Sequence, residues 1–153
     1  MKLLLDTHIM LWGLLEPERL NRRAAAELRN PENEIWLSPI SVWETLILAE
    51  KGRVVLRPDP ATWLRTVLSQ MDFHEARINH EIALRSRDVR LKHRNPADRF
   101  LAATAMVYQL TLVTADRQLF RCRDISVLRV RAGAINEPQG LTGTSYEIMQ
   151  FRK

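Results

Sequence analysis

The sequence has few of the features that mark secreted or membrane proteins. Its single cysteine, Cys122, excludes an intramolecular disulfide and gives no sign of an oxidising compartment. The amino-terminal segment MKLLLD is too short for the apolar region of a signal peptide. No later apolar run approaches the length of a membrane span. We therefore expect a cytoplasmic protein that does not contact a membrane.

The sequence also lacks internal repeats and a second-domain boundary. With 153 residues, of which 46% are hydrophobic, the chain is long enough to bury the core of one domain. Its four histidines show no metal-ligand spacing, and no Ser-His-Asp order suggests a nucleophilic triad. The formal net charge of +5 suits a polyanionic partner, although charge alone identifies none.

Short apolar strands alternate with amphipathic helices along the first 132 residues, which predicts an α/β fold. Strands are expected near residues 2–5, 34–37, 73–78, 110–114 and 125–130, with an extended connection at 54–56. Helices are expected at 8–15, at 20–28, from about 40 to 50, after the caps Asp59, Asn79 and Asn95, and as a short helix from 117 to about 120. This alternation favours an α/β/α sandwich with a short, mainly parallel sheet flanked by helices. Residues 133–153 are richer in glycine, and we expect them to form a C-terminal tail that is surface-docked or disordered.

Four acidic residues occupy distinctive positions in this pattern. Asp6 and Asp116 each follow a predicted strand, Asp98 lies in a helix's first turn behind an Asn95 cap, and Glu44 lies early in a helix after a strand. If the strands are parallel and adjacent, these side chains converge at one edge of the sheet. Clustered carboxylates repel one another unless a cation neutralises them, and oxygen ligands suit Mg²⁺ or Mn²⁺. Such a site can hydrolyse phosphodiesters with a metal-activated water.

Taken singly, each acid also has an ordinary structural interpretation. Asp6, Asp98 and Asp116 are suited to cap a helix or to lie in its first turn, and Glu44 to a solvated helix face. The repeated ending of an apolar strand at an acid is what favours a shared site.

Four segments carry a resemblance to a known family: LLLDTHIMLW at 3–12, SPISVWE at 38–44, NPADRFLAATA at 95–105 and LTLVTAD at 110–116. In this order and at these separations the chain resembles the PIN-domain ribonucleases, and within them the VapC-type toxins of toxin–antitoxin pairs. The resemblance implies an α/β/α fold and an endoribonuclease that depends on Mg²⁺, with Mn²⁺ as a possible substitute. It also implies a cognate antitoxin, and either a homodimer or a heteromer with that antitoxin.

The resemblance also assigns roles to individual residues. Asp6, Glu44, Asp98 and Asp116 match the family's acidic quartet, and Asp6, Asp98 and Asp116 would be the metal ligands. The hydroxyl groups that would orient the carboxylates or the attacking water belong to Thr7 and Thr114.

Two surface features have both an ordinary and a functional interpretation. A basic run is usually a solvated helix face, but beside an acidic site it could hold the RNA backbone; its members are Arg85, Arg87, Arg90, Lys92 and Arg94. Trp12 and Trp43 would ordinarily be core residues, but in this family such aromatics could line the groove that holds an antitoxin.

Two other functions remain open from the sequence. The chain could be a catalytically inactive PIN-like module that binds RNA or serves in assembly. It could also be a phosphatase of the haloacid dehalogenase kind, with Asp6 as the nucleophile. That chemistry requires a second Asp two residues on, where this sequence has His8.

Overall fold

The computed structural model of the chain describes residues 1–92, 95–131 and 141–143. The strands are β1 Lys2–Leu5, β2 Glu34–Leu37, β3 Val54–Leu56, β4 Phe73–Glu75, β5 Thr111–Thr114, β6 Ser126–Arg129 and β7 Leu141–Gly143. The helices are α1 Thr7–Leu15, α2 Arg22–Arg29, α3 Pro39–Glu50, α4 Pro60–Gln70, α5 His80–Asp88 and α6 Pro96–Tyr108. The tail predicted at 133–153 lies outside the described residues apart from β7, which pairs with β3.

Within the described residues, five parallel strands form one sheet in the order β4-β2-β1-β5-β6. From β1 the chain builds the β2 and β4 side of the sheet, then crosses to β5 and β6 on the other side. The strand order therefore reverses between β1 and β5. In open parallel sheets, the carboxyl ends of two such strands border a crevice where ligands bind.

Alternate residues of the central strand face two separate cores. Leu3 and Leu5 belong to a buried cluster formed with α1, α2 and α4. Leu4, between them in sequence, belongs to a second buried cluster with α5 and α6. Because successive strand residues point to opposite faces, helices cover both sides of the sheet. The predicted α/β/α sandwich is confirmed.

Capping side chains fix where most of the helices begin. A side-chain oxygen accepts a backbone N–H bond at the caps of α2, α3, α4, α5 and α6, which are Asn21, Ser38, Asp59, Asn79 and Asn95. The second helix was expected from residue 20 but begins at Arg22, because Asn21 caps it and a short 3-10 turn, Pro17–Arg19, precedes it.

Two predicted elements are shorter than expected. The strand expected over 73–78 ends at Glu75, since the chain beyond it is held by the helical layer: the Tyr108 hydroxyl of α6 donates to the Arg77 carbonyl at 2.9 Å. The short helix expected after Asp116 is a single 3-10 turn, Leu119–Arg121, close to the start of β6.

Among the described residues, every helix is too short or too polar to cross a membrane.

Candidate active site

The carboxyl ends of β1 and β5 lie side by side at the crevice. Leu5 pairs with Val113, and the Asp6 backbone N–H donates to the Val113 carbonyl at 3.0 Å. Asp6 thus follows directly after β1, and Asp116 lies two residues beyond the end of β5. The sheet itself places these two acids at the same edge, as the sequence predicted.

Thr114 connects the two strand-end acids through one hydroxyl group. This fully buried side chain donates to Asp6 Oδ2 at 2.6 Å. The same Oγ1 accepts the backbone N–H of Asp116 at 3.0 Å. A single buried hydroxyl therefore fixes the orientation of one carboxylate and the backbone of the other.

Helix α3 brings Glu44 to the same edge. The first turn of this helix is tied to β1 because the Ser41 hydroxyl donates to the Leu5 carbonyl at 3.4 Å. The Thr7 hydroxyl, at the start of α1, donates to Glu44 Oε1 at 2.7 Å. Glu44 is half-buried and is held beside the end of β1 by these contacts.

Asp98 enters the site from the first turn of α6. The Asn95 cap and Pro96 start this helix, and the Asp98 side chain is only 7% exposed. Burial, together with the charges of three neighbouring carboxylates, raises the pKa of Asp98 to about 7. Those neighbours, in order of effect, are Asp6, Asp116 and Glu44. Their effect on Asp98 shows that the structure brings all four acids together.

The pKa values of Asp6 and Glu44 are also raised by burial and by a neighbouring carboxylate. Burial raises the pKa of Asp6, and the charge of Asp116 adds to this, against the lowering effect of the Thr114 hydrogen bond. Burial and the charge of Asp6 likewise raise the pKa of Glu44. His8, an exposed residue, lies close enough to both to lower their pKa values. The sequence indicated no role for His8, because no spacing rule connects it to Glu44.

The donor atoms of this site fit a hard divalent cation. They are carboxylate and hydroxyl oxygens, and each buried carboxylate is destabilised by its neighbours, a repulsion that a cation would relieve. Among the described residues, no three His, Cys, Asp or Glu side chains are arranged to hold a metal ion directly. A cation that retains several waters, as Mg²⁺ does in proteins, suits carboxylates that reach it partly through those waters.

The described members of the predicted basic run have different surroundings. Arg85 is exposed and paired with Glu81 at 2.8 Å on the same helix, and Arg87 is exposed nearby on α5. Arg90 and Lys92 follow α5 and line a cavity of about 480 Å³ with side chains from beyond β5. Arg94 lies outside the described residues.

The two tryptophans have different environments. Trp12 is 8% exposed within the core on one side of the sheet, and the Arg19 guanidinium lies 5.2 Å from its ring centroid. Trp43, on α3 next to Glu44, is 52% exposed. A role in holding an antitoxin stays a prediction for both, and only Trp43 offers a broad surface for it.

Basic residues beyond Asp116 escaped the sequence analysis. Arg117, Arg121, Arg129 and Arg131 line a cavity of about 590 Å³ at the β6 edge. They do not form a sequence run, and the one available signal was that Arg117 directly follows Asp116.

Comparison with known proteins places this geometry in a family. A family model described as the PIN domain matches residues 3–124. Ribonuclease VapC22 of Mycobacterium tuberculosis is 32% identical over 119 residues, covering 76% of this chain and 88% of that protein.

Solved structures agree on the fold. The structure of VapBC2 from Rickettsia felis bound to a promoter DNA fragment has a TM-score of 0.64 and 17% identity, covering 84% of this chain and 98% of that one. A toxin-antitoxin complex from Klebsiella pneumoniae has a TM-score of 0.52 and 25% identity, covering 82% of this chain and 94% of that one. With its acids gathered at the β1 and β5 ends and the family model matching most of its length, the chain belongs to the PIN-domain family.

Proposed function

We propose that the protein is a metal-dependent endoribonuclease that acts as the toxin of a toxin–antitoxin pair. The observation that carries this proposal is the convergence of Asp6, Glu44, Asp98 and Asp116 at one edge of the sheet, where the charges of the other three act on Asp98. Its support from relatives is the 32% identity to a protein named as a ribonuclease of the VapC type. Hydrolysis of RNA is the activity that accounts for both the convergence of the acids and the similarity to this ribonuclease.

Asp6, Asp98 and Asp116 would hold the cation, directly or through waters, and Mg²⁺ is the ion we propose, with Mn²⁺ as a substitute. Once bound, the ion supplies a water of lowered pKa and neutralises charge on the attacked phosphate. Thr114 and Thr7 keep the carboxylates of Asp6 and Glu44 in fixed orientations through their hydroxyl groups.

Glu44 is suited to handle the proton of the attacking water. Its raised pKa makes its carboxylate a stronger proton acceptor than an exposed glutamate, and it is only half-buried at the crevice. The oxygen of water bonds to phosphorus as the bond from phosphorus to the 3′ oxygen breaks. The leaving oxygen takes up a proton, which gives 5′-phosphate and 3′-hydroxyl ends.

Basic residues near the acids would hold the RNA backbone. Arg90 and Lys92 are exposed at the cavity beyond α5, and Arg87 is exposed on α5 itself. Arg85 contributes less in our proposal, because Glu81 already pairs with its guanidinium. Arg94 belongs to the same sequence run, and its part in binding stays a prediction.

A cognate antitoxin would be the protein partner, in a heteromer or alongside a homodimer. Support comes from the Klebsiella pneumoniae structure, which is 25% identical and is described as a toxin-antitoxin complex. The exposed indole of Trp43, beside Glu44, is a contact that such a partner could cover. Because the proposed substrate is cellular RNA, we place the activity in the cytoplasm.

Expression in a bacterial host tests this proposal. We expect the wild-type chain to arrest growth, Asp98→Asn to relieve the arrest, and co-expression of the protein encoded beside it to restore growth. Glu32→Gln, an exposed acid away from the crevice, is the matched control and should arrest growth like wild type. Normal growth with soluble wild-type protein would contradict the toxin assignment.

A second function, an inactive RNA-binding or assembly module, is favoured by one observation. Among the described residues, no three His, Cys, Asp or Glu side chains are already arranged to hold a metal ion. A module of this kind would bind RNA without cleaving it, and any effect on growth would be the same for wild type and Asp98→Asn.

A further inference from the structure

Two cavities adjoin at the edge of the sheet next to Asp116. Both are lined by Arg117 and Arg121, and their volumes are about 590 and 480 Å³. We call the pair the basic depression, because six cationic side chains line it: Arg90, Lys92, Arg117, Arg121, Arg129 and Arg131. These residues come from separate segments of the chain, so only the fold assembles them.

The charge of the basic depression is not balanced within its lining. No carboxylate lines either cavity among the residues that the structure describes. Among the described residues, the arginines that form ion pairs are Arg19, Arg77 and Arg85. None of the three belongs to the depression. The Asp124 carboxylate accepts the backbone N–H of Arg90 at 3.3 Å. Such a concentration of exposed cations attracts an anionic ligand.

One of these cations is already oriented beside an aromatic ring. The Arg129 guanidinium lies 5.5 Å from the Phe120 ring centroid and donates to the Phe120 carbonyl at 3.3 Å. The half-buried Phe120 ring also lines the larger cavity. Cations combined with an aromatic surface are typical of sites for single-stranded nucleic acid, where phosphates pair with charge and a base can stack. An acidic peptide would need only the charge.

The position of the basic depression links it to the acids. Arg117 directly follows Asp116, and Asp116 Oδ1 accepts the Gln118 backbone N–H at 2.7 Å, which fixes this turn. The four acids repel phosphate groups, so a strand that enters the crevice needs cations on its flank.

We propose that the basic depression binds the backbone phosphates of the single-stranded RNA segment that extends from the cleaved bond toward β6. This inference rests on the proposed ribonuclease function and adds the surface that holds its substrate. Arg121 and Arg131 are the residues whose loss should weaken RNA binding without touching the acids.

RNA binding by full-length protein carrying Asp98→Asn, which prevents cleavage, tests the proposal. The probe is a fluorescein-labelled 12-nucleotide single-stranded RNA of random sequence, titrated at fixed Mg²⁺ over a series of KCl concentrations. The test variant adds Arg121→Gln and Arg131→Gln. The control adds Arg29→Gln and Arg65→Gln, which remove the same charge from exposed sites on α2 and α4. Thermal melting checks that all three proteins are equally folded.

We expect the test variant to bind about tenfold more weakly than its parent, and the control to match the parent. The slope of log K against log salt should fall by about 1.4, because each lost phosphate contact contributes roughly 0.7 for a single strand. Equal affinity and slope in the test variant and the control would overturn the inference while leaving the proposed function intact.

Two other outcomes would also overturn it. If a 12-residue polyglutamate competes as well as unlabelled RNA and depends on the same arginines, the depression is a site for an acidic peptide. If the parent binds no RNA at any salt concentration, the inference fails, and cleavage of cellular RNA by the wild-type protein then decides separately whether the proposed function fails with it.

Discussion

Asp98 titrates near neutral pH because it is buried among three other acids. Its pKa is about 7 in the folded protein, against an ordinary value near 3.9 for an unfolded aspartate. The folded chain therefore holds this proton more tightly than the unfolded chain. The stability that follows is fully present below about pH 4 and is lost as the pH rises to about 7.

Asp98→Asn removes this dependence, since an amide carries no charge at any of these pH values. Without divalent metal, we expect the free energy of unfolding of the variant to exceed that of wild type by roughly 2 kcal/mol at pH 8. Near pH 4 the two proteins should differ little. Urea denaturation at both pH values measures this difference. Glu32→Gln is the control, and its free energy of unfolding should not exceed that of wild type. An increase in the free energy of unfolding of Asp98→Asn that is the same at both pH values would contradict the account.

Thr114 provides a second test at the scale of one residue. Thr114→Val keeps the buried volume but removes the hydroxyl that contacts Asp6 and the Asp116 backbone. We expect RNA cleavage to slow about 10- to 100-fold, as is usual when a group that orients a metal-site carboxylate is lost. Single-turnover cleavage of a labelled RNA gives the rate.

Thr114→Ser should keep most of the rate, because it restores the hydroxyl. Thr104→Val is the matched control: this buried threonine donates to the Phe100 carbonyl within its own helix, α6. Equal slowing by Thr104→Val and Thr114→Val would assign the effect to general loosening of the fold.

The residue types and positions of the acids were readable from the sequence, and their energetics were not. Asp6 and Asp116 follow apolar strands, so their shared edge could be predicted. The burial that raises the pKa of Asp98 depends on how closely α6 packs against the sheet, which no local pattern encodes. The same holds for the effect of the His8 charge on the pKa values of Asp6 and Glu44.

At the scale of elements, Arg99 ties α6 to the end of α5. Its guanidinium donates to the carbonyls of Ser86, Val89 and Leu91 at 3.4, 3.0 and 3.1 Å. Ser86 lies in the last turn of α5, and Val89 and Leu91 follow the helix. Arg99 thereby fixes the segment that leads to Lys92, and it directly follows Asp98 on α6.

Arg99→Lys should destabilise the protein, because an ammonium group cannot reproduce the planar fork that reaches three carbonyls. We expect the free energy of unfolding to fall by about 1–3 kcal/mol, measured by urea denaturation. Arg87→Lys, at an exposed position on α5, is the control and should change it by less than about 0.5 kcal/mol. Equal values for the two variants would show that the three contacts do not contribute to stability.

The first residues of the helices were predicted best. The length of the edge strand β4 and the surface beside the sheet were predicted least well. Asparagine, serine and aspartate caps are local signals, so α3, α4, α5 and α6 begin within a residue of their expected positions. The length of β4 was overestimated because Tyr108, distant in sequence, contacts the segment that follows it. The basic depression was missed for the same reason, since its lining residues meet only in the folded chain.

At the scale of the molecule, the sheet order explains why one edge carries the chemistry. The strand order reverses between β1 and β5, which brings Asp6 and Asp116 to the same edge of the sheet. Helices α6 and α3 add Asp98 and Glu44 there. The basic depression includes Arg117, the residue after Asp116. Acids that can hold a cation and cations that can hold phosphates are therefore adjacent. This is the arrangement that a metal-dependent nuclease requires.

Cleavage of pooled cellular RNA tests this account most directly. Purified wild type and Asp98→Asn, freed of any co-purifying partner, would each be incubated with Mg²⁺, with Mn²⁺ or with a chelator. The account predicts discrete fragments from wild type with either metal, none with the chelator, and at least a 100-fold loss of rate in Asp98→Asn, on the order expected for removing a catalytic electrostatic group. Intact RNA with folded wild-type protein and metal present would contradict it, as would equal cleavage by the two proteins.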